Sequence, residues 1–146
     1  MRGFAAIGLY RPKDDSNVAG CLRAAHCYGA SLVAIAGDRS PNKMIQASAN
    51  TSKAHRHIPV IRGANLRELV PYSAIPIAVD ILDGAIMLPA FKHPQSAFYV
   101  FGPEDGTLGR NITEWCAFVV AIPTVFCLNL AAAVNVVLYD RIAKSC

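Results

Sequence analysis

Residues 97–109 read AFYVFGPEDGTLG, an uncharged aromatic and β-branched run that passes straight into three glycines and a proline around Glu104 and Asp105. A short apolar run with such punctuation is the pattern of a strand buried on both faces. The stretch from Gly102 to Gly109 must be irregular, because the glycines permit backbone angles that other residues avoid and Pro103 lacks an amide donor. Outward from this point, Gly3 to Leu9, Ser31 to Ala36, Pro59 to Ile61, Ile75 to Ile81 and Ala117 to Ile122 repeat the signature. Asp15 or Ser16 can cap a helix with Val18, Leu22 and Ala25 at helical spacing and Gly29 as its stop. Asn65 can cap a helix over Leu66 to Val70, Leu88 to Pro94 reads as loop, Ile112 to Trp115 as a helical turn and Leu128 to Lys144 as a closing helix. Strands alternating with helices predict an α/β fold around a mainly parallel sheet.

The chain has 146 residues, of which 53% are hydrophobic and 16% charged, which fits one domain over residues 1–146 and excludes a disordered chain. A net charge of +4 permits an anionic partner without requiring one. Five cysteines with no CxxC pair point to reduced thiols in the cytoplasm, with no metal site. The run from Ala117 to Tyr139 is long enough for a bilayer, but Pro123, Asn129 and Asn135 interrupt it, so core and no membrane contact is expected. Gly3 to Tyr10 meets Arg11 to Asp15 instead of a cleavage pattern and reads as a strand. The stretch from Gly37 to Arg62 is polar and basic. Asp38 to Lys43 opens a predicted short helix, and Lys43, Lys53, Arg56 and Arg62 with His55 and His57 form either an RNA-facing patch or a solvated excursion.

In a parallel sheet, ligands collect where loops leave the carboxyl ends of strands. Three loops qualify: Asp80 to Gly84, Gly102 to Gly109, and Pro123 to Asn129. The second matches no phosphate-binding glycine pattern, and taken alone it is equally a tight connection with an acidic tip. On the first helix, Asn17, Gly20 and Arg23 lie near one face at spacings of three. A helical glycine costs roughly 1 kcal/mol against alanine, so Gly20 predicts close approach by a neighbour. Arg23 is either a surface cation or an anchor for phosphate or ribose, and Asn129 can be simply a helix cap. His93 is expected to make a structural hydrogen bond, and Trp115, Phe98 and Tyr99 to be core.

Taken together, Phe101 to Gly109, Ile122-Pro123 and Cys127-Leu128-Asn129-Leu130-Ala131, preceded by Asn17, Gly20 and Arg23, resemble the motifs of the SpoU/TrmH family of RNA ribose methyltransferases. The resemblance spans nearly the whole chain. It departs from the family at Cys127, where Ser is usual, and in the short Thr124-Val125-Phe126 lead-in.

The resemblance implies a single-domain α/β knot, with a deep C-terminal trefoil, that binds S-adenosyl-L-methionine in a bent form mainly through backbone groups. The matching cofactor-binding positions are Val79, Asp80, Gly102, Glu104, Ile122, Cys127, Leu128 and Asn129. The implied reaction is methyl transfer to a ribose 2′-hydroxyl. Arg23 is then the candidate catalytic residue, orienting the hydroxyl, stabilising a developing alkoxide or binding the adjacent phosphate, since a guanidinium is a poor base. Asn17 and Asn129 are candidate positioning groups, and Glu104 is expected to brace the loops. RNA and a second copy of the chain are the implied partners, with neither DNA nor membrane. The closing helix would supply the homodimer surface, unless it is wholly internal core. With no appended substrate domain in view, tRNA is expected ahead of rRNA. A non-catalytic RNA-binding dimer is the alternative that Cys127 raises.

Overall fold

In the computed structural model, which describes residues 3–37 and 57–145, the strands are β1 (Phe4–Tyr10), β2 (Leu32–Ala36), β3 (Val60–Gly63), β4 (Ile75–Val79), β5 (Ile86–Met87), β6 (Ser96–Phe101) and β7 (Phe118–Ala121). The helices are α1 (Asp15–Cys27), α2 (Arg110–Thr113) and α3 (Leu130–Ser145). All strand pairings are parallel, in the order β3-β2-β1-β6-β4-β7-β5.

Alternation along β6 divides the core. Tyr99 and Phe101 face Ile7 and Leu9 beneath α1 and α3, where Val18, Leu22, Val134 and Leu138 complete the layer. Phe98 and Val100 face Ala6, Ala34, Leu66, Leu108 and Ile112, with Trp115 packed at the edge. Burying each large side chain contributes roughly 1.5–3 kcal/mol, and of the seven strands the edge strand β3 alone carries a charged residue, Arg62. The expected core roles of Phe98, Tyr99 and Trp115 are therefore met.

Several boundaries differ from the sequence reading, each for a local reason. The cap of α1 is Asp14, not Asp15 or Ser16: its side chain accepts from the Ser16 amide at 2.9 Å and the Ser16 hydroxyl at 2.7 Å. The hydroxyl bond, followed by the amide bond, holds the Asp14 carboxyl below its ordinary range. The helix expected over Leu66 to Val70 is a single 3-10 turn, Leu66–Leu69, capped by Asn65 as predicted. Strand β5 gives no sequence signal, because two residues are too few to show a period. The long apolar run at 117–139 divides into β7, a loop and α3. No helix among the described residues is long and apolar enough to cross a membrane. The short helix expected at 38–43, with Lys43, Lys53, His55 and Arg56, lies outside the described residues. His57 is described and stacks on His26 with ring centroids 4.6 Å apart.

The last turns of α3 grip the segment before β6 through a buried polar network. Arg141, 8% exposed, donates to the carbonyls of Pro94 and Gln95 at 2.7 Å each and to the Tyr99 hydroxyl at 3.1 Å. Lys144 donates to the Leu88 and Phe91 carbonyls and pairs with Asp140. His93 lies between the Tyr99 hydroxyl and the Asp140 carboxylate, 2.7 Å from each. Because the Tyr99 oxygen already accepts from Arg141, its own proton goes to His93 Nδ1. The neutral Nε2–H tautomer then donates to Asp140. The structural hydrogen bond expected of His93 is thus doubled.

Candidate active site

Strands β6, β4 and β7 are neighbours whose carboxyl ends align, since Val79 pairs with Phe101 on one side and Val120 on the other. The three loops singled out from the sequence therefore leave the sheet side by side. They enclose a cavity of about 210 Å³, several times the roughly 30 Å³ share of one water. Of the predicted cofactor positions, Val79, Asp80, Gly102, Glu104, Ile122, Cys127 and Leu128 line it. Asn129 does not. Its side-chain oxygen accepts from the Ala132 amide at 2.7 Å and its carbonyl from the Ala133 amide at 3.0 Å, so it caps α3 and fixes the junction of the third loop.

Ile81, Thr107, Thr124 and Leu130, which fall within the loops and motifs of the sequence but were not among the expected cofactor positions, also line the cavity, as does Ala133. Each adjoins or lies within four residues of a named position. Strand-to-loop adjacency was the available signal, but a helix turn such as Leu130 to Ala133 reaches the cavity only once α3 is placed.

Carboxylates organise the walls. Glu104 accepts from the amides of Lys13 at 3.0 Å and Asp14 at 2.8 Å and from Asn17 Nδ2 at 3.3 Å. It is thus the brace that was expected, tying the glycine-rich loop to the start of α1. Asp80 accepts from the amides of Ile81 at 2.8 Å and Leu108 at 2.7 Å. Beneath Glu104, burial and then the charge of Glu104 push the Cys21 thiol far above its ordinary range. Burial alone pushes Cys116 up to about 12. Neither is available as a thiolate. Cys127 is exposed at the cavity, and the four described cysteines are free.

Asn17, Gly20 and Arg23 lie near one face of α1, within an arc of about 120°, but they meet different neighbours. Asn17 turns to Glu104, Gly20 packs on α3 against Ala131, and Arg23 is exposed and outside the cavity lining. The close approach predicted from Gly20 is present.

The site chemistry is apolar side chains and main-chain groups from three loops, with no cluster of metal-binding side chains among the described residues. A model of the SpoU rRNA methylase family matches residues 5–139. The chain belongs to the SpoU rRNA methylase family. It is 32% identical over 133 residues to an uncharacterized tRNA/rRNA methyltransferase of Archaeoglobus fulgidus, covering 86% of this chain and 58% of the relative. It is 31% identical over 134 residues to the 23S rRNA (guanosine-2′-O-)-methyltransferase RlmB of Neisseria meningitidis, covering 87% and 53%. The SpoU chain thus spans little more than half the length of these relatives. Among solved structures, the SpoU methyltransferase AviRb of Streptomyces viridochromogenes in complex with AdoMet superposes with a TM-score of 0.84 at 20% identity, over 99% of this chain and 62% of that one. A structure described as giving insight into 2-OH methylation of C/U34 on tRNA superposes with a TM-score of 0.81 at 20% identity, over 98% and 97%. These likenesses establish the SpoU fold.

Proposed function

We propose that this chain transfers a methyl group from S-adenosyl-L-methionine to a ribose 2′-hydroxyl of RNA. The observation that carries the reading is the convergence of three loops, from the aligned ends of β4, β6 and β7, on one cavity. Membership of the SpoU family supports it. The residues present fit the cofactor: Val79, Ile122, Leu128 and Leu130 offer apolar walls for an adenine ring and an aliphatic chain. The loop main chain at Gly102 and Cys127 offers neutral polar groups. When bound, the cofactor supplies a methyl group on a sulfonium, which needs no acid to make it electrophilic.

This chain's residues then have separable tasks. Asn129 fixes the loop that leads into α3, and Asn17 and Glu104 hold the glycine-rich loop to α1. Arg23, exposed and outside the cavity lining, acts on RNA rather than on the cofactor. Its permanent charge orients the ribose hydroxyl and stabilises the oxyanion that develops as the hydroxyl proton passes to water, leaving S-adenosylhomocysteine and the 2′-O-methyl ribose as products. The same reading gives the segment 122–145 the knotted path of the SpoU/TrmH fold and places the protein in the cytoplasm. It also makes the protein a homodimer, supported by the exposed strip of Val136, Tyr139 and Ile142 on α3.

Incubation with labelled S-adenosylmethionine and unmodified tRNA or rRNA in separate reactions tests the reading. Label in RNA is expected, with tRNA the arm carried from the sequence and rRNA the arm favoured by the name of the RlmB relative. Cofactor binding without label in either arm favours the non-catalytic alternative, which the replacement of Ser by Cys127 motivates.

A further inference from the structure

We propose that Asp80 is a positioning residue of the cofactor cavity, its carboxylate committed to the protein wall and not to the ligand. The inference rests on the S-adenosylmethionine reading and assigns Asp80 a task within that site. Its two carboxylate oxygens accept from different amides, Oδ1 from Ile81 at 2.8 Å and Oδ2 from Leu108 at 2.7 Å. Its own amide donates to the Val120 carbonyl at 3.0 Å. One residue therefore joins the end of β4 to the loop after β6 and to strand β7, from whose end the third loop of the cavity leaves.

The loop from Gly102 to Gly109 needs such an anchor. Its glycines and exposed tip provide little packing of their own, so acceptors from outside must fix its shape. Glu104 ties its near half to α1. At the far half, Leu108 is buried and packs on Gly102, where a Cβ would come within 3.2 Å of Leu108 Cγ. The bond from the Leu108 amide to Asp80 is charge-assisted, the stronger class. Between these two anchors lie Gly106 and Thr107, and just before the first lie Gly102 and Pro103, all on the cavity wall. A carboxylate near a sulfonium would ordinarily be read as an attractor of positive charge, whereas here both oxygens already serve amides.

Calorimetric titration of S-adenosylmethionine and S-adenosylhomocysteine, each into wild type, Asp80→Ala and Asp80→Asn, separates the two roles. Asp80→Ala is expected to weaken both ligands by about tenfold, the size of one lost hydrogen bond to a charged group. It should also raise KM for the methyl donor more than it lowers kcat. Asp80→Asn keeps one acceptor oxygen and should weaken both ligands equally and less. Hydrogen exchange at the Leu108 amide should quicken in Asp80→Asn, a readout that stands even where the alanine variant does not fold. Unchanged affinities in Asp80→Ala, or unchanged exchange, overturn the proposal. So does a loss confined to S-adenosylmethionine in Asp80→Asn, which would mark the carboxylate as a partner of the sulfonium. A wild-type chain that binds neither ligand overturns the functional reading itself and the inference with it.

Discussion

Gly20 on α1 lies against Ala131 on α3 so closely that a Cβ on Gly20 would stand 2.7 Å from the Ala131 Cβ. The obstacle is the first atom of a short side chain and cannot swing away, so relief requires one helix to move. Gly20→Ala gains about 1 kcal/mol of helix propensity but meets an overpacking cost of about 1–3 kcal/mol. Denaturant unfolding should show net destabilisation of Gly20→Ala that Ala131→Gly relieves in the double variant. A Gly20→Ala protein more stable than wild type contradicts the contact.

His93 carries a pH dependence of stability. Burial lowers its pKa below the ordinary 6.5, against the raising pull of Asp140 and with further lowering by Lys144 and Arg141. Tyr99 occupies its other nitrogen. The unfolded chain therefore takes up the proton first. The stability contribution is complete above pH of about 6.5 and is lost as pH falls below it towards the folded-state value. The melting temperature should decline between neutral and mildly acid pH. His93→Gln, which offers one donor and one acceptor, should lose that part of the slope. Parallel slopes in the two proteins would remove His93 from the account.

Arg23 is assigned to RNA and not to the cavity. Arg23→Ala should lower methyl transfer by about 100-fold, the scale of removing a charge-stabilising donor from a reaction centre, while S-adenosylhomocysteine binds as in wild type. Retained transfer sinks the assignment.

The dimer proposed on α3 can be broken at one residue. Tyr139 is 60% exposed and its ring meets Tyr28 edge-on with centroids 6.4 Å apart, between the exposed Val136 and Ile142. Tyr139→Asp should shift sedimentation from dimer to monomer, since a charge desolvated in an apolar interface costs several kcal/mol. A monomeric wild type would refute the proposal.

Fold and site were legible in the sequence to different depths. Buried parallel strands show as short uncharged runs, so six of the seven strands stood out, and β5, only Ile86 and Met87, did not. The loops after β4, β6 and β7 could be named because glycine, proline and chain direction mark where a strand ends. Their adjacency could not, because the pairing of Val79 with both Phe101 and Val120 is set by strand order. Gly20 was readable as a close approach since a helical glycine has a known cost. The destinations of side chains were not: Asn17 and Arg23 share a motif, but Asn17 bonds to Glu104 and Arg23 is exposed. Likewise, Arg141 gave no signal that it would be buried on carbonyls 46 and 47 residues away.

Identification of the atom that carries the methyl group tests the central claim most directly. RNA labelled by this protein from S-adenosylmethionine would be digested to nucleosides and each labelled nucleoside identified by mass. Label on the ribose, as a 2′-O-methyl nucleoside, is the predicted result. Label on a nucleobase would contradict it, showing that the cavity and its cofactor serve a different acceptor.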